Sequence, residues 1–217
     1  MLSFQPAGNN PKVTSVVAVV LVIWLALVFF LGARGSFIRP LGEPPLPVLI
    51  GFTAPIAAFL AAYWILSSFR HFVLTVDLRL ATSIQAWRFA GLGFIALYTH
   101  GVLPGLFAWP AGLGDIAISV TAPWMVLALI RRPGFAAGKL FVVWNLLGIG
   151  DLIVAVSTGA ISSRLALSAA GEATIFPMSQ LPLVLVPAYL VPLFIVLHLT
   201  ALFQARRIAV SVHKDEA

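Results

Sequence analysis

Six long apolar runs, separated by short polar or Gly/Pro-rich stretches, set the pattern of this chain. They cover about residues 13–32, 46–66, 81–100, 110–130, 138–158 and 181–203. Each is close to the roughly 20 residues an α-helix needs to cross a hydrocarbon core. In lipid the backbone must satisfy its own hydrogen bonds, so such runs become helices. The pattern therefore predicts an all-α polytopic bundle of six transmembrane helices, with residues 1–217 forming a single membrane domain. The first run exceeds the apolar core of about 7–15 residues found in cleaved signal peptides, so it reads as a retained span.

The connections carry their own signals. Between the second and third runs, Phe69, Phe72, Val73, Val76 and Leu80 recur at helical spacing with Arg70, His71, Asp77 and Arg79 between them. That arrangement predicts a short interfacial helix over 67–80. Residues 101–114 hold Gly101, Gly105, Gly112 and Gly114 with Pro104 and Pro110, but no charge. So apolar a Gly/Pro-rich stretch is expected in the headgroup layer, or re-entering the membrane where protein or water can satisfy its backbone. Residues 159–180, with Arg164 and Glu172, form a mixed segment before the sixth run.

Six spans place both termini on one side, and the cations say which. Lys12, Arg70, Arg79, Arg131, Arg132, Lys139, Arg206, Arg207 and Lys214 fall on the side of the termini, against Arg34, Arg39 and Arg164 on the other. This bias predicts cytoplasmic termini.

Composition sharpens the class. The chain is 61% hydrophobic and 9% charged, where soluble domains carry roughly 25% charged residues. Without cysteine, disulfides, thiolate catalysis, Cys-ligated zinc and iron–sulfur clusters are excluded. The net charge of +6 follows from topology, and with no long basic run or soluble module, nucleic acid is not an expected partner. The expected partners are the bilayer and either a small-molecule ligand or another membrane protein.

Candidate chemistry lies inside the spans. The tetrapeptide Gly-x-Gly-Asp occurs twice, at Gly112–Asp115 and Gly148–Asp151, and the preceding run carries Gln85 and Arg88. An ionisable group within a span costs a few kcal/mol or more unless partnered, so one cation and two carboxylates in consecutive spans call for one another. At 1.5 Å per residue, Gln85 and Asn145 lie roughly 9 Å from the cytoplasmic end, His198 roughly 12 Å, Arg88 roughly 14 Å, Asp151 roughly 18 Å and Asp115 roughly 22 Å. Asp151 is the expected first partner of Arg88, with Asp115 also within guanidinium reach. Thr82, Gln85 and Arg88 share one face. Ser119, one turn after Asp115, has its carbonyl freed by Pro123 and joins the candidate set. The predicted ligand- or proton-binding residues are thus Arg88, Asp115, Asp151, Asn145, Gln85, His198 and Ser119. The bland alternative is that the ion pair fixes helix register and the glycines permit close helix approach.

Other chemistries find little footing. His100 and His198 lie at different depths, which disfavours a bis-His haem; no cofactor is predicted, and of the haem modes only ligation by a single His survives. No H-E-x-x-H or aligned Ser-His-Asp set occurs, so no catalytic residue or metal site is assigned and the reading leans away from an enzyme.

The segments Gln85-Ala86-Trp87-Arg88-Phe89-Ala90-Gly91 and Leu103-Pro104-Gly105-Leu106-Phe107-Ala108-Trp109-Pro110-Ala111-Gly112-Leu113-Gly114-Asp115 resemble a pattern in uncharacterised bacterial six-span integral membrane proteins. The resemblance implies a bacterial inner-membrane protein and no activity. From the residues, the leading expectation is binding or translocation of a small solute or proton. A non-catalytic partner or assembly subunit is the alternative, and a lipid-modifying intramembrane enzyme a weaker one.

Overall fold

The computed structural model describes residues 11–165 and 173–215; Glu172 lies outside them. The helices are α1 (Pro11–Ala33), α2 (Leu46–Ile65), α3 (Ser67–Val73), α4 (Leu78–Ile84), α5 (Leu92–Thr99), α6 (Gly105–Arg131), α7 (Lys139–Leu165) and α8 (Val191–Asp215). A 3₁₀ segment, Gln85–Gly91, joins α4 to α5, and a π-helical turn, Val186–Leu190, leads into α8. Six of these helical stretches are long and apolar enough to cross a membrane, and α4, the 3₁₀ segment and α5 together make the third.

The burial pattern is that of a membrane bundle. Trp87, Trp124 and Leu147 are exposed, whereas Gln85, Arg88, Asn145 and His198 are enclosed. Polar groups inside and large apolar groups outside is the arrangement a lipid solvent requires and water would penalise. The third span, α6, α7 and α8 pack around the enclosed polar groups, while α1 sits at the edge against α3 and the π turn. There Trp24 and Tyr189 meet at a ring separation of 4.5 Å.

Local chemistry explains two boundaries that differ from the sequence reading. The expected interfacial helix stops at Val73, because Asp77 caps a new helix: its Oδ1 accepts from the Arg79 backbone N–H at 2.8 Å. Partial burial works against the charged form of Asp77, but the hydrogen bonds and positive charge of Arg79 prevail and hold its carboxyl below the usual range. On the opposite side, Gly101 at φ 70° closes α5 in the left-handed conformation that favours glycine. Pro104 then stands at the N-cap of α6. The stretch 101–114 is consequently a short turn followed by the first turns of a 27-residue helix, not a re-entrant loop, and the fourth span starts at Gly105 instead of Pro110. The sixth span likewise begins later than expected, at Val186.

Candidate functional site

Arg88 is the hub. It rises from the 3₁₀ segment with its side chain fully enclosed. A 3₁₀ helix has three residues per turn, so side chains at i and i+3 eclipse one another. Gln85, Arg88 and Gly91 therefore stack on one face, and Thr82 continues the file one turn earlier; all four are buried.

Arg88 gathers three helices. Its Nε donates to Asp115 Oδ1 of α6 at 2.7 Å, and its Nη2 donates to Asp151 Oδ2 of α7. Its Nη1 donates to the Gly148 carbonyl at 3.3 Å and faces His198 Nε2 of α8, also at 3.3 Å. The guanidinium carbon lies 6.0 Å from the Phe194 ring centroid. The fork geometry of arginine suits this double engagement of carboxylates, which a lysine could not reproduce.

The hydrogen bonds also fix the state of His198. Asn145 Nδ2 donates to the Phe141 carbonyl at 2.8 Å, which turns its Oδ1 toward His198 Nδ1 at 2.9 Å. An amide oxygen can only accept, so Nδ1 carries the proton. Arginine can only donate, so Nε2 presents its lone pair. His198 is a neutral Nδ1–H imidazole with both ring nitrogens engaged. Trp144 packs edge-on against it at 5.5 Å and itself donates to Thr121 at 2.8 Å.

Glycines make the space for these groups. A Cβ on Gly114 would fall on the Asp151 carboxylate, one on Gly148 would fall on the His198 ring, and one on Gly91 would overlap Asp115. A Cβ on Gly112 would lie 2.7 Å from Ile95 and 3.0 Å from the Gly91 carbonyl. Gly150, by contrast, faces open space. In the first Gly-x-Gly-Asp repeat, then, both glycines serve the contacts of neighbouring helices, and in the second only Gly148 does.

Of the residues singled out in the sequence, Arg88, Asp115, Asp151, His198 and Asn145 form one connected network. Gln85 lies one turn away and donates from Nε2 to the Phe194 carbonyl at 3.3 Å, while its Oε1 and the Thr82 hydroxyl are buried with no hydrogen-bond partner among the described residues. Ser119 is buried but bonds back to the Ile116 carbonyl of its own helix at 2.9 Å, outside the network. Gly114, Gly148, Trp144 and Phe194 were not singled out as site residues. Their roles depend on how the helices are rotated against one another, which the repeat of Gly-x-Gly-Asp hints at but does not specify. Among the described residues no cluster of three or more His, Asp or Glu is arranged to hold a metal ion.

A cavity of about 90 Å³ reaches the network from the side opposite the termini. Phe37, Phe94, Phe107, Phe176 and Met178 contribute to its apolar wall, and Asp115 also lines it. Among the described lining residues, Asp115 and Arg39 carry charge. Arg39 is paired with Glu43 at 2.9 Å, and the Glu43 carbonyl accepts from Ser163 of α7 at 3.1 Å. The cavity thus presents one acid, Asp115, paired with Arg88 through Oδ1, and the guanidinium behind it stays sealed.

Fold and site together define a multi-pass α-helical membrane protein organised around a buried arginine–carboxylate cluster. The chain belongs to the family described as Domain of unknown function (DUF8737), whose model matches residues 45–206 and so takes in α2 through most of α8, with every residue of the cluster. No curated protein and no solved structure matches it.

Proposed function

We propose that this protein binds a small solute or a proton at the Arg88–Asp115–Asp151 cluster and carries it across the bacterial inner membrane, with both termini in the cytoplasm. One observation carries the reading: Asp115 belongs both to the ion-pair network and to the wall of the cavity. A ligand entering that cavity meets a carboxylate whose partner is held by two further helices, so occupancy of the cavity is coupled to packing of the bundle core. Mid-membrane polar sites at the meeting of several spans are where transporters place substrates and coupling ions. On the cytoplasmic side of Arg88, the Gln85 and Thr82 oxygens offer acceptors to a proton or water.

The rival reading, a partner or assembly subunit in which the cluster only fixes register, draws on the near-complete satisfaction of Arg88, whose Nε, Nη1 and Nη2 all have partners. Proton flux into vesicles carrying the purified chain separates the two. Asp115→Asn should abolish flux while the protein still inserts and purifies; unchanged flux in that variant would favour the assembly reading.

A further inference from the structure

Resting on that reading, we propose that the solute is an organic cation, a primary ammonium on a slender apolar body, which binds Asp115 from the cavity in exchange for a proton. Access favours a cation. The Asp115 side chain is 15% exposed and lines the cavity, whereas the Arg88 side chain is 0% exposed. An anionic ligand would have to reach a guanidinium it cannot touch; a cation meets the carboxylate directly. Arg88 takes Oδ1 of Asp115, and no donor among the described residues engages Oδ2. An ammonium has three donors to offer that oxygen and its surroundings.

Charge favours it too. Arg88 supplies one positive charge and Asp115 with Asp151 two negative ones, so the ionised cluster carries a net charge of minus one in the middle of the membrane. His198 is neutral and cancels nothing. An uncompensated charge at that depth is costly, and two species relieve it: a proton on one of the acids, or a cation beside them. Both together would leave an excess positive charge. Occupancy by one therefore disfavours the other, which is the requirement for exchange.

Shape narrows the class. Aromatic rings and a methionine suit the apolar body of a cation. The volume, about 90 Å³, is below the roughly 150 Å³ of an engineered cavity that holds benzene, so the cavity encloses the head and first carbons of a chain whose remainder extends out through its mouth. A narrow chain with a small head fits better than a bulky quaternary group.

The test is titration calorimetry of the full chain in detergent with n-hexylammonium, 1-hexanol and hexanoate, repeated in two buffers of different ionisation enthalpy so that protons are counted. The expected result is that n-hexylammonium binds at least tenfold more tightly than either isostere and displaces up to one proton. Asp115→Asn should lose at least tenfold in affinity. Ala155→Leu, which narrows the cavity wall without touching Arg88, should lose affinity while keeping the wild-type fold. Equal binding of 1-hexanol, or tighter binding of hexanoate, would overturn the cationic class. So would failure of all three to bind; if Asp115→Asn still abolished proton flux in that case, the reading of the site would stand without it. Undiminished n-hexylammonium binding together with undiminished flux in Asp115→Asn would overturn both.

Discussion

Gly114 of α6 faces Asp151 of α7 so closely that a methyl group in place of its hydrogen would occupy the position of the Asp151 carboxylate. The acid reaches Arg88 because its neighbour lacks a side chain. Gly114→Ala should therefore push Asp151 away from the guanidinium and destabilise the bundle by about 1–3 kcal/mol, the usual cost of overpacking. Gly150, in the second copy of the same tetrapeptide, faces open space, so Gly150→Ala should be neutral within about 1 kcal/mol. Thermal unfolding of the two variants in the same detergent makes the comparison; equal losses would show that the tetrapeptide, not the facing residue, matters.

Removing Arg88 leaves two carboxylates in the membrane without a cation. Arg88→Met should cost about 3–5 kcal/mol, as breaking a buried ion pair does. The triple variant Arg88→Met, Asp115→Leu, Asp151→Leu should recover most of that loss, because no charge remains to be compensated. Yield and unfolding temperature of the single and triple variants check this. A triple variant as damaged as the single one would mean that packing around Arg88, not its charge, is what the fold needs.

The Asn145–His198 contact predicts a tautomer. In a nitrogen-15 spectrum of histidine-labelled protein, His198 should show a protonated Nδ1 and an unprotonated Nε2. Asn145→Leu withdraws the oxygen that selects this form and should change or broaden the signal pair. A protonated Nε2 in the wild type would contradict the assignment.

Asp77 offers a prediction at the membrane edge. Asp77→Ala removes the cap of α4 and should cost about 0.5–2 kcal/mol. Because the folded-state carboxyl sits below its ordinary value of 3.8, its charge-dependent contribution is full above that value and disappears as pH falls through the lower folded one. The stability gap between wild type and Asp77→Ala should accordingly be flat near neutrality and shrink in strong acid. A gap that widened on acidification would reverse the sign.

Much of this was legible from the order of residues. Runs of apolar residues place the spans, since lipid leaves helices little alternative. Axial position alone put Arg88 within reach of Asp115 and Asp151, because a long side chain tolerates offsets of several Å. What remained hidden depended on rotation about the helix axes. Ser119 falls one turn from Asp115, yet its hydroxyl bonds back to Ile116 instead of joining Arg88. Gly105 and Gly112 look like loop formers by aqueous standards, but within α6 they make room for Tyr98 and Ile95. In lipid a glycine marks close approach at least as often as a bend. Asp77 was read as a charge on an amphipathic face, while its local bond to Arg79 starts a new helix.

The 3₁₀ segment has one more consequence, for heredity. Because Thr82, Gln85, Arg88 and Gly91 stand in a file with a step of three, while Trp87 and Phe89 look outward, a map of tolerated substitutions across 82–91 should beat with a period of three residues. An ordinary helix would print 3.6. The deletion of one codon between Thr82 and Arg88 would turn the guanidinium out of the bundle's interior, so this stretch should admit changes of letter far more readily than changes of length.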